Sequence, residues 1–469
     1  MTGLRLGVLP LARATFDVPF AEEVAAAAFA ALDATGAEIV GSRDLLFDAD
    51  ETERAIAEIA DGEVDLVVLL QVTFSDASMA DVIGDALDAP LLLWAFPEAR
   101  TGGRLRLNSF CGINLAGHAL NLRGRRYHYL YAAPDAVDLG AELRRMATEE
   151  PPRWGDHVVP DPAGMPADAV ERARAVAVRL GEARVGVVGD HPVGFHPCAY
   201  DPGELGGLTG VTVERLELDD LFGTARAVPD DTAASLVATA TDSLTGVVDV
   251  DQDELTASLK LYPALRSLAD QHRLDGLAVR CWPECFTEYG GANCAPAGLM
   301  NDDRIPTACE ADVYGNVTAL VLQWLADAPA LVADLVDVDT DDDTGVLWHC
   351  GKAPLSMADP EAVPTATVHS NRRKPLLNEF PLKPGRVTVA RLSRAGGHHH
   401  LVIGGGEMLR APLAFSGTAG VIRFDRSGRD VVDTVMYDGL EHHYGLVYAD
   451  VRDELRALAG LWGIHVIDL

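Results

Sequence analysis

Lysine is nearly absent from this chain: four of its 469 residues, at Lys260, Lys352, Lys374 and Lys383. Arginine supplies the other 34 of the 38 basic charges (38 − 4), and 71 acidic residues bring the formal charge to −33. A surface this acidic repels phosphate backbones and anionic lipids, which argues against nucleic acid and membrane surfaces as partners. No apolar run reaches the ~18 residues that a membrane helix needs. The start MTGLRLGVLP has no basic segment ahead of a long apolar one, so no secretory leader is expected. Cysteine comes to seven, an odd number at irregular spacing, which fits a reducing cytoplasm better than a disulfide framework. Cys281, Cys285 and Cys294 invite a zinc site, but no second close pair follows them.

What is present is a globular composition, 48% apolar, in a chain long enough for about two to four domains. Residues 4–150 alternate strands such as LRLGVLP, VDLVVLLQ and APLLLWAF with helical stretches such as FAEEVAAAAFAALDATG. Continuous apolar strands separated by helices imply a parallel sheet covered on both faces. The Pro-rich stretch 149–164 reads as a linker, and a second α/β pattern follows it through ARVGVVGD and DGLAVRCWPEC. Beyond about 326 the texture changes to strands with Gly/Pro turns (RVTVARLSR, HHLVIGGGEML, AGVIRF). The expected fold is therefore α/β: two doubly wound, Rossmann-like parallel-sheet domains (1–152 and 153–325), then a mainly antiparallel, β-barrel-like domain (326–469).

Glu310, Asp334, His349 and the pair His442-His443 stand at ends or interiors of apolar segments. An unpartnered charge there costs several kcal/mol, and two carboxylates converging with two imidazoles would suit one divalent metal ion. Each also has a plainer reading. Glu310 follows Thr307 by three residues, the pattern of a capping box. Strand alternation puts Asp334 on either face. His349 ends a strand before a Gly-Lys-Ala-Pro turn, as a structural histidine does, and His442-His443 would suit a solvated turn. The acidic run DVDTDDDTG is no EF-hand, because Asp342 takes the glycine position and Trp348 that of the bidentate glutamate. The Gly404-Gly405-Gly406 run opens no helix and suits a hairpin or bulge. VGDHPVGF (188–195) is a candidate ligand loop at a strand's carboxyl end.

With these residues in hand, the chain resembles the L-fucose isomerase / L-arabinose isomerase superfamily over most of its length. In the fucose branch a metal-binding Glu is followed 24 residues later by an Asp in an F-A-D-V-like strand, and Glu310 and Asp334, in VADLV, are similar. LWHCG with His349 is similar to an arabinose-branch segment. The ending EHHYGLVYADVRDELRALAGLWGIHVIDL is similar to that branch's His-His pair, helix and terminal strand, which makes His443 the ligand and His442 its neighbour. FCGINLAGHALNLRGRRYHYLYA resembles a segment with an active-site histidine, here His118. LPLARATFD resembles a loop whose arginine, here Arg13, contacts sugar across a subunit boundary. Phe74 and Trp282 are candidates for the sugar pocket. The mixture of branch features carries over neither branch's substrate.

The resemblance implies an aldose–ketose isomerase working on a free sugar through a cis-enediolate: L-fucose, D-arabinose, L-arabinose, or a sulfonated hexose such as sulfoquinovose. A divalent cation would stabilise the anionic charge on two adjacent sugar oxygens. Glu310 and Asp334 would be both ligands and proton carriers, with His349 and His443 completing the ligand set. Carboxylate and imidazole donors suit Mn²⁺, with Mg²⁺ or Co²⁺ as substitutes. The family's hexamers imply a cytoplasmic homo-oligomer in which a neighbouring subunit brings Arg13 and His118 to the site. A metal-dependent sugar lyase or aldolase, and a non-enzymatic sugar-binding protein, are the alternative readings.

Overall fold

The computed structural model describes residues 3–60, 63–152, 155 and 157–469. Arg153, Trp154 and Asp156 of the expected linker, where the first domain boundary was set, lie outside the described residues. The first sheet is parallel, with strands β1 (Arg5–Leu11), β2 (Glu38–Gly41), β3 (Leu66–Gln71), β4 (Leu91–Ala95) and β5 (His128–Tyr131) in the order β2-β1-β3-β4-β5. Between β1 and β3 the chain reverses its winding direction. At such a point the carboxyl ends of open parallel sheets leave a crevice for ligands. Arg13 follows β1 and Phe74 follows β3, so both emerge there.

A second parallel sheet contains β6 (Arg184–Val188), β7 (Thr212–Leu216), β8 (Gly276–Val279) and β9 (Thr307–Ala308), in the order β7-β6-β8-β9. The third sheet is the largest. Its strands are β10 (Leu331–Asp339), β11 (Thr344–His349), β12 (Thr365–Thr367), β13 (Leu377–Pro381), β14 (Gly385–Ser393), β15 (His400–Leu409), β16 (Thr418–Phe424), β17 (His443–Val447) and β18 (His465–Asp468). Their order is β12-β13-β16-β11-β10-β17-β14-β15-β18, and β15 pairs with β16 as well. Pairings thus pass from β16 through β11, β10, β17, β14 and β15 back to β16. The region is mainly antiparallel, as expected, but mixed at two pairings: β13 runs parallel to β16 and β18 parallel to β15. Hydrophobic alternation fixes which face a residue takes but carries no information about the partner's direction.

Two helices lock the sheets together, and their sequences explain why. SFCGINLAGHALNL (Ser109–Leu122) is buried at every residue from Ser109 to Leu120. A helix apolar all round requires covering on all sides. Here the first sheet lies on one side and the third on the other, with Asn114 Nδ2 donating to the Leu440 carbonyl at 2.6 Å. VYGNVTALVLQWLA (Val313–Ala326) does the same between the second and third sheets. Its Asn316, fully buried, donates to the carbonyls of Leu277 and Pro306 at 2.8 and 2.6 Å. This ties the helix to β8 and to the start of β9. No helix among the described residues is long and apolar enough to cross a membrane.

Candidate active site

Glu310 lies just past the carboxyl end of β9. It and Ala311 have φ of 59° and 53°, two successive non-glycine residues in the left-handed region. That conformation is uncommon and costs about 1–3 kcal/mol per residue, so its surroundings must hold it in place. The capping-box reading of Thr307 and Glu310 is thereby corrected. Thr307 is in β9, and the next helix is capped by Asp312, whose Oδ1 accepts from Gly315 N at 2.9 Å. Relieved of capping, the Glu310 carboxylate meets Trp282 Nε1 at 3.2 Å through Oε1 and His442 Nε2 at 3.2 Å through Oε2. Burial pushes its pKa up, but the His442 hydrogen bond, the charges of His443 and His442 and the Trp282 N–H outweigh it and hold the acid at about 2.

Asp334 is in β10, directly across from His443 in the antiparallel β10–β17 register. Cross-strand neighbours of this kind bring side chains together on one face. His443 Nε2 lies 3.1 Å from Asp334 Oδ1 and 3.7 Å from Glu310 Oε2. Yet Asp334 Oδ1 and His443 Nε2 are both buried without a directed hydrogen bond among the described residues. His443 Nε2 thus faces two carboxylate oxygens, while it and Asp334 Oδ1 go unsatisfied in a protein interior where such groups are almost always paired. The donor atoms within 4.8 Å of one another form two sets that share His443, one with Asp334 and His442 and one with Glu310 and Cys198. A hard or borderline divalent cation satisfies such a set, and these residues fit one.

The other nitrogen of His443 is fixed. Its Nδ1 donates to Asp312 Oδ2 at 2.9 Å, and Asp312 in turn takes two hydrogen bonds from the fully buried Arg391, at 2.7 and 3.1 Å. Burial disfavours the ionised Asp312, but Arg391 and His443 more than compensate and draw its pKa far down. An imidazole whose far nitrogen is held by a carboxylate is oriented and made more basic toward a metal. The sequence reading missed Asp312 and Arg391. The one visible signal was an arginine interrupting the apolar alternation of RVTVARLSR.

Glu310, Asp334, Arg13, Phe74, Trp282, His349 and His442 all line one pocket with an empty volume of about 830 Å³, mouth included. Trp348, Asn108 and the segment His369–Arg372 complete its wall. Phe195, from the loop after β6, supports it from behind, its ring 5.0 Å from Trp282 and 5.8 Å from Phe74. Arg13 arrives from its own chain, its guanidinium 4.7 Å from the Trp282 ring. The expectation that a neighbouring subunit must deliver it is corrected, because the carboxyl end of β1 already faces the pocket.

Two expected residues stand apart from the donors around His443. His118, on the helix Ser109–Leu122, is buried outside the pocket lining with Nδ1 2.8 Å from the Gly439 carbonyl, where it joins helix to turn. His349 reaches the pocket but not the cluster around His443. Its Nδ1 accepts from the Cys350 N–H at 2.9 Å, which in a neutral ring leaves the proton on Nε2. Burial, then the charges of Lys352 and His443, pushes its pKa far down, so the ring is neutral. Its Nε2 is buried without a partner among the described residues and is therefore free to donate.

Residues 7–147 match the model of the fucose/sulfoquinovose isomerase N-terminal domain. The sulfoquinovose isomerase of Priestia megaterium is 28% identical over 459 residues, 97% of either chain. That of Alkalicoccus urumqiensis is 29% identical over 468 residues, 98% of either chain, and that of Clostridium sp. 29% over 465. The chain belongs to the fucose isomerase-like family. It is an enzyme of the aldose–ketose isomerase class, and the pocket lies where the carboxyl ends of both parallel sheets meet the third sheet.

Proposed function

We propose that this isomerase interconverts sulfoquinovose, a hexose sulfonated at C6, and the corresponding ketose, with Glu310, Asp334 and His443 holding a divalent cation, Mn²⁺ for preference. The observation that carries this reading is that His443 Nε2 has Asp334 Oδ1 at 3.1 Å and Glu310 Oε2 at 3.7 Å, in two sets of donor atoms that share His443, with His443 Nε2 and Asp334 Oδ1 unsatisfied among the described residues. When bound, the cation supplies Lewis acidity at the two adjacent sugar oxygens where negative charge develops.

The chain's own residues divide the remaining work. Glu310 Oε1, oriented by the Trp282 N–H, faces the pocket and carries the proton between C2 and C1, as general base and then as general acid. Asp334 shares that duty at the second oxygen. His349 Nε2–H donates to a sugar oxygen. Phe74 and Trp282 exclude water from the reacting carbons, and His442 keeps Glu310 ionised before sugar enters. Arg13 contacts the end of the sugar remote from the chemistry. A homo-oligomer of the hexameric kind implied by the family belongs to the same proposal.

The test strips the purified protein with chelator and assays it with and without Mn²⁺ on sulfoquinovose, L-fucose, D-arabinose and L-arabinose. The readouts are ketose formation and solvent deuterium entering C2. Metal-dependent ketose from sulfoquinovose, lost in Glu310→Gln with the fold intact, is the expected result. Full activity in the stripped protein, or in Glu310→Gln, overturns the assignment.

A further inference from the structure

The pocket holds a second guanidinium. Arg372 lies on the turn that follows β12 and stands 5.4 Å from the same Trp282 ring that Arg13 approaches at 4.7 Å. Arg372 has no carboxylate partner among the described residues. Arg13 has one, Asp76, at a loose 3.5 Å, and its Nη1 is buried without a hydrogen bond among the described residues. In a chain of net charge −33, two guanidinium groups gathered at one indole and short of acids run against the prevailing composition. Guanidinium pairs of this kind fit the oxygens of a tetrahedral anion, which they bind through charge-assisted hydrogen bonds.

The turn that carries Arg372 is built to stay in place. His369 is half-buried and kept neutral, its pKa brought to about 3 by desolvation and then by the charges of Arg372 and Arg104. The free Nδ1 of that ring accepts from the backbone N–H groups of Asn371 and Arg372 at 3.2 and 3.3 Å. Arg104 bonds Asn371 Oδ1 at 2.7 and 3.1 Å and the Thr15 carbonyl at 3.0 Å, joining the turn to the loop that bears Arg13. Burial, and then the charge of Arg13, lowers the pKa of Arg372, which is what two like charges in one pocket produce.

We infer that Arg13 and Arg372 form a two-guanidinium clamp for a singly charged tetrahedral anion on the substrate, and that Arg372 sets the specificity for it. With Asp76 counted against Arg13, the clamp has one net positive charge, which matches a sulfonate better than a doubly charged phosphate monoester. The inference rests on the sulfosugar reading of this pocket, but its first test does not.

That first test is calorimetric binding of ethanesulfonate and of ethylphosphonate to the whole protein. Wild type binds ethanesulfonate in preference to ethylphosphonate. Arg372→Gln loses the ethanesulfonate signal, and Arg373→Gln, an exposed neighbour of equal charge change, keeps it. Equal binding by wild type and Arg372→Gln, or tighter binding of ethylphosphonate, overturns the clamp. The second test measures turnover of sulfoquinovose. Arg372→Gln raises its KM about 10- to 100-fold, the effect of one lost charge-assisted contact, and Arg373→Gln leaves it unchanged. A KM for sulfoquinovose unmoved by Arg372→Gln overturns the inference. Wild type that binds ethanesulfonate but turns over no sulfoquinovose counts against the isomerase substrate and in favour of the clamp.

Discussion

His443 donates through Nδ1 to Asp312 at 2.9 Å while its Nε2 faces Asp334 and Glu310, so one ring is held by a carboxylate behind it and presented to two in front. The carboxylate behind is itself fixed by Arg391. Asp312→Asn keeps the shape of this relay but removes the charge. Affinity for Mn²⁺, measured by titration of the stripped protein, is expected to fall about 10- to 100-fold, as for other outer partners of ligating histidines. Asp312→Ala removes the carboxylate that Arg391 hydrogen-bonds, leaving the buried guanidinium the looser Glu441 at 3.5 Å, and costs about 3 kcal/mol in denaturant unfolding.

His349 separates two roles that sequence alone merges. Acting as a donor rather than a ligand, it makes His349→Phe lower kcat about 10- to 100-fold with Mn²⁺ affinity unchanged. A loss of metal affinity in that variant would restore it to the ligand set.

Removing the cation should be felt in stability as well as turnover. Glu310 and Asp334 crowd one imidazole, and a bound ion at about 100 times its Kd adds about 2.7 kcal/mol to the folded state. Thermal unfolding of the stripped protein should move upward on adding Mn²⁺. In Glu310→Gln that upward movement should shrink.

Asp438 gives a pH signature remote from the pocket. Burial lifts its pKa to about 6, despite His157 Nε2 at 2.9 Å. A carboxyl with a folded pKa above its unfolded value of about 3.9 favours the protonated form in the fold. Its ionisation therefore takes stability away as pH rises from about 4 to about 6, on the order of 2–3 kcal/mol at most. Asp438→Asn should be more stable than wild type at pH 8, with the difference closing near pH 4. Urea midpoints at the two pH values check it.

The 24-residue spacing of Glu310 and Asp334 and the late His442-His443 pair were legible because each sits in a local pattern with its own neighbours. Asp312 and Arg391 were not, because their meaning is a contact across 79 residues, and each alone reads as a helix cap or a strand arginine. Arg372 was hidden in the same way: NRRK reads as a solvated basic turn until its guanidinium is seen beside Trp282. The two parallel sheets followed from apolar strands alternating with helices. The mainly antiparallel third sheet followed from its strands and turns, but not the directions of β13 and β18, which depend on strands far away in the chain. His118 misled for the opposite reason, because a helix buried on all sides can hold a histidine for packing alone.

Strand β17, which begins with His443, enters the third sheet between β10 and β14 rather than at an edge. One of the last segments of the sequence is thus a central plank of the sheet, and the donor cluster stays open until it is laid. A partly synthesised chain would display Glu310 and Asp334 with nothing to complete them. Such non-local pairing is slow to form, so catalytic competence should arrive as a late, single event in folding, and truncated fragments should be inert toward sugar however well their first sheets fold.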